Sequence, residues 1–202
     1  MDHESKLREF SPGEREIMEA TYKALSKHGY GNLTIQRIAD EFKNSKALLY
    51  YHYDGKDELL VDFLEYVLHQ FLATLPRGEQ SPRTELETLI DALLPETLDE
   101  EPYRVQLAMF ELRVNAPHDA DCRDQYLDVD TELKKLLKDI LVRGVEAGEF
   151  EDVDPDIESE LLLSLLTGTR ARRLTVYDPD ESIHTLRQAI QTHIDRISVN
   201  EK

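Results

Sequence analysis

At 202 residues the chain has room for one or two domains and not for a large multidomain enzyme, because a single hydrophobic core stops growing beyond about 250–300 residues. Its 42 acidic and 24 basic side chains give a net charge of −18, which opposes nonspecific attraction to DNA or to anionic membranes if the charge is evenly spread. Hydrophobic residues at 40% supply a core and exclude wholesale disorder, and a lone cysteine, Cys122, excludes an intramolecular disulfide.

Met1 to Phe10 is polar and lacks the apolar stretch of a signal peptide. The first helix is expected from Pro12 to His28. Ser11 and Glu14 form a capping box at its start, and Ile17, Ala20, Thr21, Ala24 and Leu25 form its apolar stripe. Gly29 ends it. Thr34 caps a short helix carrying Ile35, Ile38, Ala39 and Phe42. Lys43-Asn44 makes a turn, and Ser45 caps a third helix through Tyr51 or Tyr53. Asp54-Gly55 breaks the chain before a long helix from about Lys56 to Leu75, with Leu59, Leu60, Phe63, Leu64, Val67, Leu68 and Phe71 apolar.

After Pro76-Arg77-Gly78, helices are expected at about 83–98, 103–115 and 120–147, a loop from Gly148 to Asp154, and helices near 156–176 and 180–198. Ser81-Pro82, Asp154-Pro155 and Asp178-Pro179 repeat the pairing of cap residue and proline seen at Ser11-Pro12, a pairing that suits helix starts because proline has no N–H to leave unsatisfied there. No segment alternates as a strand does. The longest apolar run, Leu161 to Leu166, is broken by Ser164 and falls far short of a membrane span. The expectation is a soluble, cytoplasmic, all-α protein of about nine helices, with one domain at 1–55 and a second at 56–202.

The charge is unevenly partitioned. Residues 1–60 carry a net −2 and residues 61–202 the remaining −16, while the segment from Lys23 to Lys56 carries +3. One basic stretch on an acidic protein is the footprint to inspect for nucleic-acid contact. Arg outnumbers Lys 14 to 10. Such a carboxylate-rich surface suits a halophilic, high-salt cytoplasm, where ions screen its self-repulsion. An ordinary acidic protein is the alternative.

Helix, short turn and helix across residues 34–53 make a helix-turn-helix, whose second helix enters the major groove. Ile38, Ala39, Phe42, Leu49 and Tyr53 can form its inner face, and Lys46, Ala47, Tyr50 and Tyr51 its outer one. Small Ala47 permits close approach, and Lys46 can donate to guanine O6 or N7. The ordered string Gly29-Tyr30, Leu33-Thr34, Ile38-Ala39, Ser45, Leu49-Tyr50, His52-Tyr53, Lys56 and Leu59 resembles the tetracycline-repressor (TetR/AcrR) family of transcription regulators over roughly residues 13–63. Lys43 stands where that family usually has glycine, and Asn44 where a small aliphatic residue is usual.

The resemblance implies a homodimeric, ligand-released regulator, more often a repressor, on a palindromic double-stranded DNA operator. It also implies roles for residues. Thr34, Tyr50, His52 and Lys56 look like phosphate contacts. Gln36, Arg37, Lys46, Ala47 and Tyr51 look like the base-facing or near-backbone set, with Ser45 also among the DNA-binding residues and Lys43 an added phosphate contact. Leu48 either touches a thymine methyl or packs inward. Without the ordered string, the aromatic residues here would read as ordinary parts of any helical domain.

Further on, Arg143 to Phe150, Val153-Asp154-Pro155 and Leu165 to Arg170 look like the branch that includes choline-responsive, BetI-like regulators. Helices four to seven would enclose a pocket. Phe71, Tyr103, Gln106, Leu107, Phe110, Arg113 and Tyr126 are the candidate lining for a small-molecule effector, with core packing as the alternative for each. Arg113 would meet an anionic ligand or pair with Glu111 or Asp119. The last two helices would pair with those of a second subunit through Leu161, Leu162, Leu165, Leu186, Ile190, His193, Ile194 and Ile197. Arg170, Arg172 and Arg173 read as ion-pair partners of the acidic surface.

No enzyme is expected, and no metal or cofactor. His118, Asp121 and Cys122 follow Pro117 as a helix start does. Asp152, Asp154 and Asp156 lack the glycine and the glutamate of a calcium loop. The competing function is a helical small-molecule-binding or protein-interaction module without DNA binding.

Overall fold

The computed structural model describes residues 9–42, 46–74 and 80–199. Among the described residues the chain forms α1 (Pro12–Asn32), α2 (Ile35–Glu41), α3 (Lys46–His52), α4 (Lys56–Thr74), α5 (Pro82–Leu93), α6 (Glu100–Asn115), a 3-10 turn (Ala116–His118), α7 (Ala120–Glu146), α8 (Pro155–Thr175) and α9 (His184–Ile197). The fold is all-α. Its one β feature there is a single antiparallel pair, Phe150 with Ser198. The Lys43-Asn44 turn, the Ser45 cap and the Pro76-Arg77-Gly78 break lie outside the described residues.

The helix starts follow their caps. Ser11 accepts from the Glu14 amide while the Glu14 carboxylate accepts from the Ser11 amide at 2.8 Å, which completes the capping box. Ser81, Asp154 and Thr34 likewise accept from amides in the first turns of α5, α8 and α2. Asp119 accepts from the Cys122 amide at 3.1 Å, so the His118–Cys122 stretch is a helix start. Burial raises the Cys122 thiol above its ordinary value, and Asp119 and Asp57 add to the shift.

Four boundaries differ from expectation. Gly29, at φ 67°, breaks α1 where its sequence suggests, but helical residues resume after it as far as Asn32. α5 stops at Leu93, well before residue 98, because Pro95 disfavours helical geometry at Leu94. α6 begins at Glu100, before residue 103, with Pro102 inside its first turn, where a missing N–H costs nothing. Asp178-Pro179 opens no helix. The Asp178 amide donates to Glu181 at 3.2 Å in a local turn, and α9 starts only at His184.

The described residues fall into two compact units, one within Met1–Ala73 and Asp99–Val129, the other within Thr74–Leu98 and Asp130–Lys202. This grouping cuts differently from a boundary at 55/56, because α1 packs along α6 as well as α2. The first unit's core joins Ile17, Met18, Ala24 and Leu25 of α1 to Ile38, Leu49, Leu60 and Phe63 and to Ala108 and Leu112 of α6. That shared core anchors the short α2 and α3, which are too brief to be stable as isolated helices.

In the second unit, arginines tie helices to one another. Arg143 donates to buried Glu85 at 2.8 Å, and Arg83 to Asp195 at 2.8 Å. Arg173 departs from its expected surface role. It is buried and donates to the backbone carbonyls of Pro95 and Glu96, just past the end of α5. Arg172 keeps to the surface, donating to the Tyr177 hydroxyl at 3.3 Å.

Candidate nucleic-acid interface

All five residues expected on the inner face of the helix-turn-helix are buried: Ile38, Ala39, Phe42, Leu49 and Tyr53. The Tyr53 hydroxyl donates to Asp62 of α4 at 2.8 Å, which ties the end of α3 to the next helix. With that side fixed, the helical period turns Lys46, Ala47, Tyr50 and Tyr51 outward, and all four are exposed. Tyr51 is 84% exposed and Tyr50 46%. The Tyr51 ring, largely in water on a seven-residue helix, adds nothing to the core. Leu48 is 36% exposed and lies beside Gly13 at the start of α1.

The residues around them form a connected polar surface. Thr34 is exposed and caps α2, accepting from the Arg37 amide at 3.2 Å. Arg37 is half-buried and donates to the Asn32 carbonyl. Tyr50 donates to Gln36 Oε1 at 3.1 Å, Gln36 Nε2 donates to Asp40 Oδ1 at 2.9 Å, and Lys46 Nζ lies 2.5 Å from the same carboxylate oxygen. Lys46 and Gln36 hold the Asp40 carboxyl below its usual range. His52 is exposed, edge-on to Tyr51 with ring centroids 5.4 Å apart. Lys56 heads α4, its ammonium 4.7 Å from the centre of the Tyr30 ring. A cation over an aromatic face beside the free amides of a helix start is suited to holding phosphate. Lys43 and Ser45 lie outside the described residues.

Asp40 is the group in this surface that the sequence does not single out. Its signal is the i, i+4 relation to Gln36, with Lys46 a turn further on.

The candidate effector residues gather in the first unit. Phe71 on α4 and Tyr103, Gln106, Leu107, Phe110 and Arg113 on α6 are half-buried. Tyr126 of α7 is buried, its hydroxyl donates to the Met109 carbonyl, and the Arg113 guanidinium lies 5.1 Å from its ring centre. A groove of about 410 Å³ opens on another side, between α1 and α4, with Met18, Tyr22, Phe63, Tyr66 and Val67 in its walls. None of the seven candidates lines it.

The expected subunit interface divides in two. Leu162, Ile190, Ile194 and Ile197 are already buried within the chain's own second unit. On α8 the apolar period runs to both sides, and its sequence alone does not say which side the protomer covers. Leu161 is 40% exposed, and Leu165, Leu186 and His193 are half-buried. His193 lies 2.5 Å from Glu158, joining α9 to α8.

Residues 17–63 match the family model of bacterial regulatory proteins of the tetR family, and residues 82–199, more than half of the chain, match that of the C-terminal part of BetI-type transcriptional repressors. The chain belongs to the TetR family. A TetR transcription regulator from Haloarcula marismortui ATCC 43049 is 37% identical to this TetR-family chain, with a TM-score of 0.83 over 94% of this chain and 100% of that one. The HTH-type transcriptional repressor KstR2 of Rhodococcus jostii (strain RHA1) is 27% identical over 173 residues, covering 83% of this chain and 81% of KstR2. A transcriptional regulator from Saccharomonospora viridis, solved in complex with choline, shares the fold at 24% identity, with a TM-score of 0.74 over 93% of this chain and 98% of that one. This TetR-family protein is a helix-turn-helix transcriptional regulator. Among its described residues no helix is long and apolar enough to cross a membrane.

Proposed function

We propose that this regulator is a cytoplasmic homodimeric repressor that reads a palindromic operator with α3 and releases it on binding a small-molecule effector. The observation that carries the reading is the outward face of α3, where Lys46, Ala47, Tyr50 and Tyr51 stand exposed on a helix whose opposite side is buried. Two such helices, one per protomer, enter successive major grooves about one turn apart, roughly 34–36 Å. Thr34, Gln36, Arg37, Lys43, Ser45, His52 and Lys56 supply the surrounding phosphate and base contacts.

The exposed side of α8, with Ile157, Leu161 and Leu165, is the surface offered to the second protomer. Leu161→Asp is expected to convert the dimer to a monomer in light scattering, at a protein concentration where the wild type is dimeric, and to leave helicity unchanged. An unaltered dimer would place the interface elsewhere.

The effector site is proposed among Phe71, Tyr103, Gln106, Leu107, Phe110 and Arg113, where a ligand would shift α4 and the Lys56 at its head. Such a ligand must bind the released state more tightly than the DNA-binding one, or no population shifts. The choline found in the Saccharomonospora viridis regulator does not carry over at that identity. The acidic composition and the similarity to a Haloarcula protein both support a halophilic setting.

The test is selection of duplexes from a random pool by the full-length protein, at KCl from ~0.1 M to the molar range. The expected result is an inverted repeat. Enrichment of nothing at any salt would favour the competing reading, a helical ligand-binding module without DNA binding.

A further inference from the structure

Asp40 is absent from the roles that the family pattern implies, and its surroundings give it one. Its carboxylate accepts from Gln36 and Lys46, and Gln36 accepts from Tyr50. Three of these four groups are candidates to face bases or phosphates, and Asp40 is the acid that joins them. The Asp40 and Lys46 side chains are 55% and 51% exposed, so solvent screens the pair and it adds little to the fold. Buried Ile38, Ala39, Phe42 and Leu49 already hold α2 and α3 in place.

The pair instead sets the terms on which Lys46 meets DNA. An uncommitted ammonium is drawn to any phosphate. One held by a carboxylate must first leave it, and the bare carboxylate then faces a polyanion. That loss is offset only where the duplex supplies Asp40 with a new donor. In the major groove the donors are cytosine N4 and adenine N6, and the best acceptors for Lys46 are guanine O6 and N7. A G·C pair offers both at once, whereas a phosphate offers only an acceptor.

We infer that Asp40 is a specificity-determining residue, which makes the Lys46 contact conditional on base edges and suppresses its use on arbitrary phosphate. The inference rests on α3 being the reading helix. Its test compares wild type with Asp40→Asn, both full-length, on two probes of equal length: a duplex enriched from a random pool by the wild type, and the unselected pool. Asp40→Asn is expected to bind the unselected pool more tightly and the enriched duplex no better, so that the ratio of affinities falls roughly tenfold. On the unselected pool the salt slope should steepen by about 0.9, the signature of one added phosphate contact. Combining Lys46→Gln with Asp40→Asn should remove the gain. An unchanged ratio and slope would overturn the inference, as would a gain that persists in the double variant, which would reflect only a lost negative charge. A wild type that enriches no duplex would overturn the DNA-reading function beneath it as well.

Discussion

Replacing Lys46 and Tyr50 together by alanine is expected to lower affinity for the operator by roughly a hundredfold or more, since each good base contact carries about 1–3 kcal/mol of discrimination. Removing Lys46 also leaves the Asp40 carboxylate without its cation at the DNA surface, which adds repulsion to the lost contacts. Both side chains are exposed and their hydrogen-bond partners, Gln36 and Asp40, are exposed too, so circular dichroism and the oligomeric state should be unchanged. Electrophoretic mobility shift or fluorescence anisotropy on the enriched duplex reads the loss. Binding that survives would mean that α3 is not the reader. The electrostatic part of this loss should shrink at high salt, which screens both the Lys46 contact and the bared Asp40 carboxylate, while the part carried by base-edge contacts should persist. There the gain from counterion release is small, and for a protein of net charge −18 specific contacts must carry more of the affinity.

The largest expected loss of stability lies at Gly144, near the end of α7. The Phe150 ring packs where a Gly144 side chain would begin, and a Cβ there would overlap the ring. Phe150 is itself 2% exposed, and its amide donates back to the Gly144 carbonyl at 3.1 Å, so the ring is enclosed and its backbone is tied to the same residue. Phe150 also pairs with Ser198 just beyond α9. Gly144→Val is expected to cost about 3 kcal/mol, the upper range for overpacking a filled core, and to lower Tm by roughly 10 °C for a chain of this size. Gly31→Ala near the end of α1 is the control, because open space surrounds that position and it lies away from the proposed α8 interface. It should be neutral or stabilising by up to about 1 kcal/mol. Equal melting temperatures for wild type and Gly144→Val would show that the Phe150 packing is not as described.

Local chemistry made much of this fold readable from the sequence. Ser11, Thr34, Ser81 and Asp154 cap helices because a short oxygen-bearing side chain before a polar or proline-led turn has few better conformations. Asp178-Pro179 has the same chemistry and opens no helix, since the Asp178 amide is taken up by Glu181 in a turn. The buried and exposed sides of α3 also follow from spacing alone. What spacing could not give is which apolar side of α8 and α9 the protomer covers: Leu162, Ile190 and Ile194 turn inward while Leu161 does not. Nor could it show Arg173 reaching carbonyls some 78 residues away in sequence. Asp40 looked like one charge among 42 until the fold brought Lys46 and Gln36 to it.

The central claim is that α3 reads base edges in the major groove. The most direct measurement is binding of the enriched duplex after single-atom changes to its bases. Replacing half-site guanines with 7-deazaguanine removes an acceptor that only the major groove presents, while replacing them with inosine removes the N2 amine that only the minor groove presents. The 7-deaza duplex should bind at least about tenfold more weakly, the loss of one good contact, and the inosine duplex nearly as well as the parent. Weakening by inosine with indifference to 7-deazaguanine would contradict the account.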